Sequence, residues 1–352
     1  MKVTEVHEEV KEYYGSTLEN SSDLKTNACF TSGKPPAHIL NTLALISDEV
    51  LDKYYGCGLT IPDAIEGLRI LDLGSGSGRD CFIASYLVGE HGHITGIDMT
   101  DQQVEVAKRN IEFHKDAFGH QKSNVEFIHG NIEELDQLGL QEASYDLIIS
   151  NCVINLATNK QKVLQDAFRL LKTGGELYFS DVYSDRRIPT ELQQNPTLWG
   201  ECLSGALYWN DFLTYAKQAG FADPRAVNNH PISIENDAIQ QLVGDIEFYS
   251  VTYRLMKLDG LETNCEDYGQ VVCYKGGIKE SPAGFTLDSH HYFPAGKMMP
   301  VCGNTYKMLF ETRYREHFDF YGNWDKHFGI FEGCGGEMPF SQTSESEAVA
   351  CC

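Results

Sequence analysis

Leu68-Arg-Ile-Leu-Asp-Leu-Gly-Ser-Gly-Ser-Gly-Arg-Asp80 reads as a strand that turns sharply into a helix. An apolar run leads to the acidic Asp72, and Gly74, Gly76 and Gly78 then alternate with Ser75 and Ser77. A turn built from residues without Cβ atoms lets a cofactor lie against bare backbone. The spacing is G-x-G-x-G. A dinucleotide-binding turn places its third glycine one position later, so a nicotinamide dehydrogenase is the weaker reading.

Outward from this turn, strands and helices alternate. Strand 68–73 leads to helix 79–88, and strand 93–98 to helix 101–117 with Thr100 or Asp101 as N-cap. Strand 124–129 leads to a short helix over 132–137, strand 145–150 to helix 159–171, and strand 175–181 follows Lys172-Thr-Gly-Gly175. Repeated units of this kind predict an α/β fold with a mainly parallel sheet and helices on both faces, its ligand at the carboxyl ends of the strands. Upstream, residues 1–20 have amphipathic helical spacing, a polar loop over 21–36 carries Cys29, and helix 37–54 runs into Tyr54-Tyr-Gly-Cys-Gly58, whose glycines suit a helix stop. Beyond about 185 the alternation fades. The expected division is N-terminal helices and a thiol loop over 1–60, a cofactor-binding domain over 61–230, a small α+β domain over 231–340 and a polar tail over 341–352.

The composition is that of an ordinary globular protein of 352 residues, 42% hydrophobic and 22% charged. The net charge of −23 repels phosphate backbones and anionic lipid, which argues against nucleic acid or a membrane as partner. No apolar run is long enough for a membrane span and the first residues are polar, so a cytoplasmic protein is expected. Eleven cysteines are many for such a chain. None forms a C-x-x-C pair, and neither the Cys265/Cys273 nor the Cys351/Cys352 spacing fits a standard zinc site. Scattered reduced thiols remain, some of them free to converge in the fold.

Four pieces should meet in one pocket. The glycine turn would cradle one end of the cofactor. Asp98, 22 residues after Gly76 at the end of the second strand and followed by Met99, can accept hydrogen bonds from both hydroxyls of a ribose. Asn131 and Ile132 follow the third strand, where an amide or backbone group can read an adenine amino group and an apolar side chain can cover the ring. Asn151 ends the fourth strand. The glycine turn resembles the first motif of methyltransferases that use S-adenosylmethionine, which makes the glycine turn and Asn151 neighbours of its methionine part.

The cysteines sharpen this. Cys29 is in the polar loop, Cys57 in Tyr54-Tyr-Gly-Cys-Gly58, Cys152 directly after the fourth strand in Ser150-Asn-Cys-Val-Ile-Asn-Leu156, and Cys202 in Trp199-Gly-Glu-Cys-Leu203. A lone free cysteine is commonly a small buried apolar residue, and Cys81 inside the helix after the turn fits that description. The four contexts together, with Leu24-Lys-Thr-Asn-Ala-Cys29, Arg69 to Cys81, Gly96-Ile-Asp-Met-Thr100 and Gly174-Gly-Glu-Leu-Tyr-Phe-Ser-Asp181, resemble the arsenite methyltransferase family over about residues 5–280. The resemblance implies a class I methyltransferase Rossmann-like fold with a smaller C-terminal domain, S-adenosylmethionine as methyl donor, and arsenite and methylarsenite as substrates. It implies that Cys152 and Cys202 hold arsenic through both methylations, that Cys57 supplies the third thiolate for arsenite, and that Cys29 helps to form a disulfide that reduces the pentavalent product. Glutathione or thioredoxin would then restore the thiols, and Tyr55 would cover the cofactor. The chemistry is consistent: a soft centre prefers thiolate ligands, and trivalent arsenic takes three sulfurs, keeps a lone pair and carries no proton for a base to remove. Two other readings stay open: a small-molecule methyltransferase whose cysteines only pack, and a thiol-rich protein that sequesters a soft ion without catalysis.

Overall fold

The structure, a computed structural model, describes residues 35–54, 56, 58–195, 198, 199 and 202–334. The expected helix over 1–20, the loop with Cys29, Tyr55, Cys57 and the tail over 341–352 lie outside the described residues.

Strands β1 (Arg69–Leu73), β2 (His93–Asp98), β3 (Val125–His129), β4 (Tyr145–Asn151) and β5 (Leu171–Ser184) form a parallel sheet in the order β3-β2-β1-β4-β5. Helices α3 (Arg79–Val88), α4 (Asp101–Arg109), α5 (Ile111–Phe118) and α6 (Lys160–Leu170) follow their strands as the alternation predicts. Helices α1 (Ala37–Leu43) and α2 (Asp48–Asp52) precede the sheet. Both faces are buried, because successive residues of one strand serve opposite cores. Ile70, Leu147 and Ile149 pack on one side with Phe82 and Ile83, and Leu71, Leu73 and Ile148 on the other with Leu164 and Phe179. That is why these strands read as continuous apolar runs.

Two expected helices are interrupted, and the interruptions meet. The segment over 37–54 breaks before Ser47, and that over 101–117 breaks at Asn110. Ser47 gives its hydroxyl to Asn110 Oδ1 at 2.8 Å and its N–H to His114 Nε2 at 3.2 Å, while Asn110 Nδ2 donates to Glu49 Oε2 and Val106 O, each at 2.9 Å. Side chains and backbone that could continue each helix instead join the two elements. His114 itself is buried and stacked on Phe82 with ring centroids 3.7 Å apart.

The main sheet also runs past the expected boundary at 230. Strand β6 (Leu207–Tyr208) pairs with β5, helix α7 (Trp209–Ala219) covers α6, and β7 (Arg225–Pro231) and β8 (Phe248–Met256) return antiparallel, giving β5-β8-β7 at that edge. Helix α8 (Asp237–Val243) joins them. β8 therefore belongs to the main sheet rather than to the small C-terminal domain, since β5 satisfies its backbone from Glu176↔Met256 to Ser184↔Phe248. Lys172–Gly175, expected to precede the strand, is already part of β5 and of this pairing: Gly174 N–H donates to Lys257 O at 2.8 Å and Lys257 N–H to Gly175 O at 2.9 Å.

After β8 come β9 (Glu266–Asp267), β10 (Gln270–Tyr274), β11 (Gly284–Asp288), β12 (His291–Pro294), β13 (Met298–Val301), α9 (Gly303–Phe310), β14 (Phe318–Tyr321) and β15 (Gly329–Ile330). β10 lies between β13 and β14 in an antiparallel sheet, and Val272, Tyr274, Phe285, Phe293, Leu309 and Phe318 fill a separate core. This unit is fastened to the main sheet by a buried charge cluster. Glu176 of β5 takes Arg254 Nε of β8 and an Arg313 guanidinium N–H on its two oxygens, each at 2.6 Å, and Arg254 also reaches the Leu287 carbonyl. Burial raises the Glu176 pKa, but the two guanidinium charges outweigh it and hold the carboxyl below its usual range.

Glu176→Ala leaves the buried Arg254 guanidinium and the half-buried Arg313 guanidinium without a carboxylate, so we expect about 3–5 kcal/mol of destabilisation, read as a lower urea midpoint. A second expectation concerns acid. Burial holds the His114 imidazole neutral and lowers its pKa to about 4 from the ordinary 6.5. The unfolded chain therefore takes up that proton first, and stability present above the unfolded value is lost as pH falls through this window. The slope of unfolding free energy against pH over this range should be flatter in His114→Gln than in the parent chain.

Candidate active site

At the carboxyl edge of the parallel strands the glycine turn is held by neighbouring strand ends. Gly74 and Ser75 both donate their N–H to Ile97 O, at 2.8 and 2.9 Å. Gly76 donates to Asp98 Oδ2 at 2.9 Å, and Thr100 N–H to Asp98 Oδ1 at 2.8 Å, so the Asp98 carboxylate is aimed by two amides at the end of β2. The three glycines have φ of +78°, +52° and +91°, and Gly78 heads α3. A Cβ on Gly74 would lie 2.4 Å from the Val153 methyls, whereas one on Gly76 would meet nothing within 4 Å, because that backbone faces the open cleft. Burial pushes the Asp72 carboxyl up to about 8, helped by the charge of Asp80, and burial also raises Asp98. Cys81 donates its thiol to Asp72 Oδ2 at 3.2 Å inside the core.

The cleft in front of this turn encloses roughly 980 Å³, including space open to solvent. Asp72, Ser75, Gly76, Asp98, Met99 and Ile132 all border it, as do Asn131, Asn151 and Cys152. Ser75 Oγ is buried with no hydrogen-bond partner among the described residues. An orphaned hydroxyl, a bare Gly76 and two acidic groups fit a cofactor with polar and cationic parts. The cleft separates backbone from side-chain duties at two expected cofactor residues. Asn131 Oδ1 accepts Glu133 N–H at 2.9 Å and caps the 3₁₀ turn Ile132–Gln137. Asn151 Nδ2 lies 2.8 Å from Gly58 O, 2.8 Å from Tyr54 Oη and 3.1 Å from Asp80 Oδ2, and Asn151 Oδ1 accepts Gly58 N–H at 3.2 Å. Asn151 thus fastens the segment before the sheet to the end of β4.

That segment differs from its sequence reading. Helix α2 ends at Asp52, and the glycines of Tyr54-Tyr-Gly-Cys-Gly58 do not stop it. They permit close approach instead: a Cβ on Gly58 would lie 2.3 Å from Ser180 Oγ. Tyr54, which sequence reasoning passed over in favour of Tyr55, borders the cleft and stacks on the Arg79 guanidinium, 3.2 Å from ring centroid to Cζ. Glu133 was also missed. Its buried carboxylate accepts Thr158 N–H, Thr158 Oγ1–H and Asn159 N–H at 2.9, 2.7 and 2.8 Å, fixing the loop before α6. A tyrosine pair and a glutamate after Asn131 were the available signals, and neither is distinctive without the fold.

Two of the three expected arsenic ligands lie among the described residues, and they are neighbours. Cys152 follows β4 with its N–H on Ser180 O at 2.8 Å, and the Cys202 thiol donates to Cys152 O at 3.5 Å. Both are buried, at 4% and 0% exposure, in one apolar cluster with Leu156, Leu198 and Leu203. Both also adopt left-handed backbone, φ +58° and +60°, shared among described non-glycine residues only by Ala64 and Ala143. Such strain costs about 1–3 kcal/mol and persists where surrounding structure enforces it. Cys152 is disulfide-bonded, whereas Cys202 keeps its thiol. Lys160 lies close by, its Nζ donating to Ala157 O at 2.8 Å. Burial lowers its pKa to about 8, opposed by the charges of Asp181, Glu133 and Cys202.

Over 348 residues the chain is 52% identical to an arsenite methyltransferase of Aquipseudomonas alcaligenes, covering 99% of this chain and all of that protein. This chain belongs to the arsenite methyltransferase family. A human arsenite methyltransferase is 46% identical, with 90% of this chain and 84% of that protein aligned. A methyltransferase domain model matches residues 65–220, and a model of the arsenite methyltransferase C-terminal domain matches 267–345. The crystal structure of an arsenic (III) S-adenosylmethionine methyltransferase from Chlamydomonas reinhardtii superposes with a TM-score of 0.82 at 48% identity, covering 85% of this chain and all of that one. The fold is thus the class I methyltransferase sheet with the family's added C-terminal domain, and it uses S-adenosylmethionine. No helix among the described residues is long and apolar enough to cross a membrane.

The glycine turn gives a paired expectation. Gly74→Ala meets both left-handed strain, about 1–2 kcal/mol, and the Val153 clash, so it should lower the melting temperature clearly. Gly76→Ala meets strain alone and should lower it less, while weakening S-adenosylmethionine binding in calorimetry because its methyl enters the cleft.

Proposed function

We propose that Cys152 and Cys202 bind trivalent arsenic as thiolates at the rim of the S-adenosylmethionine cleft, with Cys57 as third ligand for arsenite, and that the protein methylates that arsenic for detoxification. The observation that carries this reading is the meeting of the two cysteines, both strained, both buried, joined by the Cys202–Cys152 hydrogen bond, with Cys152 bordering the cleft.

Asp98 would accept the ribose hydroxyls, Ile132 and the Asn131 backbone would face the adenine, and the glycine turn would take the methionine end. S-adenosylmethionine supplies the methyl group. Three thiolates hold arsenic in a pyramid with its lone pair outward, so positioning is the main task of the protein. No general base is needed. The Lys160 ammonium favours the charged form of the nearby Cys202 thiol. Bond formation uses the arsenic lone pair and raises arsenic from the trivalent to the pentavalent state. Two thiolates then give up an electron pair as they join in a disulfide, and arsenic returns to the trivalent state. The disulfide at Cys152 supports a thiol there that can take this role, and Cys29 is the proposed further member of the set. An external thiol, glutathione or thioredoxin, reduces the disulfide for the next turn, which a reduced cytoplasm provides.

Cys152→Ser and Cys202→Ser are each expected to abolish methylation of both arsenite and methylarsenite, quantified by mass after species separation, while S-adenosylmethionine binding by calorimetry is kept. Methylation surviving in either variant would show that the cysteines only pack.

A further inference from the structure

Three cysteines that spacing left without a role come together in the C-terminal domain. The Sγ atoms of Cys265, Cys302 and Cys334 all lie within 4.8 Å of one another, and each of these thiols is free. They come from three separate segments. Cys265 precedes β9, Cys334 follows β15, and Cys302 is the N-cap of α9. We propose that this cluster is a second arsenic site, which binds trivalent arsenite through three sulfurs and takes no part in methyl transfer.

Ligand number favours arsenic over zinc. Among the described residues no fourth histidine, cysteine or carboxylate joins the group, and a structural zinc site is almost always four-coordinate. Trivalent arsenic is complete with three sulfurs, and its softness suits thiolates. The assembly balances without a redox step: each of three thiols gives its proton to one arsenite hydroxide, three waters leave, and arsenic stays trivalent.

The surroundings favour charged sulfur at one of the three, Cys302. Cys302 Sγ accepts Thr305 N–H at 3.5 Å in the first turn of α9 and lies 3.3 Å from Thr305 Oγ1. The hydrogen bond from Cys265, with the Thr305 hydroxyl and amide, outweighs burial and holds the Cys302 thiol below the ordinary range. The bond to Cys302 and burial raise Cys265, and burial raises Cys334, in each case against the pull of the Arg225 guanidinium, so these two thiols give up their protons only as arsenic binds.

The position gives the site a consequence. β9 and β15 pair as Asp267↔Gly329 and Glu266↔Ile330, and Phe331 N–H donates to Cys265 O at 2.7 Å just beyond that ladder. A ribbon so short is marginal alone. Arsenite bridging Cys265, Cys334 and Cys302 would staple it to α9, so the C-terminal domain would respond to arsenite independently of the reaction centre.

The inference rests on arsenite being this protein's substrate, and the experiment separates the two. The full reduced chain is mixed with arsenite, excess thiol is alkylated, and each cysteine is followed by peptide mass mapping, with methylation measured on the same preparation. Cys265, Cys302 and Cys334 should be protected together at least tenfold in rate, while Cys273, a half-buried thiol of β10 outside the cluster, is not. A variant with Cys29, Cys57, Cys152, Cys202, Cys351 and Cys352 as serine should retain arsenite with three sulfur neighbours by X-ray absorption, and adding Cys302→Ser should remove that coordination. Unchanged alkylation of the three thiols in a chain that still methylates arsenite would overturn the second site alone. Protection of the three by zinc(II) but not by arsenite would overturn it as well. Absence of methylation would count instead against the function proposed above.

Discussion

The site depends on one side chain at the end of the central strand. Asn151 takes the backbone of Gly58 in both directions, its carbonyl accepting Gly58 N–H and its amide donating to Gly58 O, and the same amide faces Tyr54 and Asp80. A segment before the first strand is thereby fixed against the carboxyl edge of the sheet, beside the glycine turn and one residue from Cys152. The fit is tight because Gly58 presses on Ser180 with no room for a Cβ. Buried polar networks of this kind are stabilising only when complete, so a loss at any member should loosen one wall of the cleft.

Around that anchor the structure concentrates cost. Cys152 and Cys202 occupy left-handed backbone and sit in an apolar cluster, where a thiolate is disfavoured until something soft shares its charge. Asp72 is buried with a raised pKa, and Lys160 is buried with a lowered one. Charges that are expensive alone become cheaper when a cationic cofactor or a thiophilic substrate pairs with them, which links binding to the relief of burial. The stable parts lie elsewhere, in the two apolar layers of the sheet and in the Glu176 cluster that joins the C-terminal domain to β5 and β8.

Much of this was legible in the sequence where the signal is local. The βα period from Leu68 to Leu170 predicted the strand ends to within a residue or two and placed Asp98 and Cys152 on the cofactor edge. It failed where long-range contacts override local pattern. The break at Asn110 depends on Ser47 and Glu49, and no helical spacing reveals it. β8 returns antiparallel, so it lacks the strand–helix rhythm that marked the others. Asn151 was placed on the cofactor edge from its position at a strand end and does border the cleft, but no local pattern reveals that its amide also holds Gly58, a partner distant in sequence. The convergence of Cys265, Cys302 and Cys334 was invisible for the same reason: three turns of the chain bring them together, and their spacing matches no short motif.

The central claim is that arsenic is held by Cys152 and Cys202 at the mouth of the cleft. A crystal of the reduced chain soaked in arsenite, with data collected across the arsenic absorption edge, tests it most directly. An anomalous peak is expected within bonding distance of both Cys152 Sγ and Cys202 Sγ. A well-ordered reduced site with arsenic bound elsewhere and no peak between these two sulfurs would contradict it.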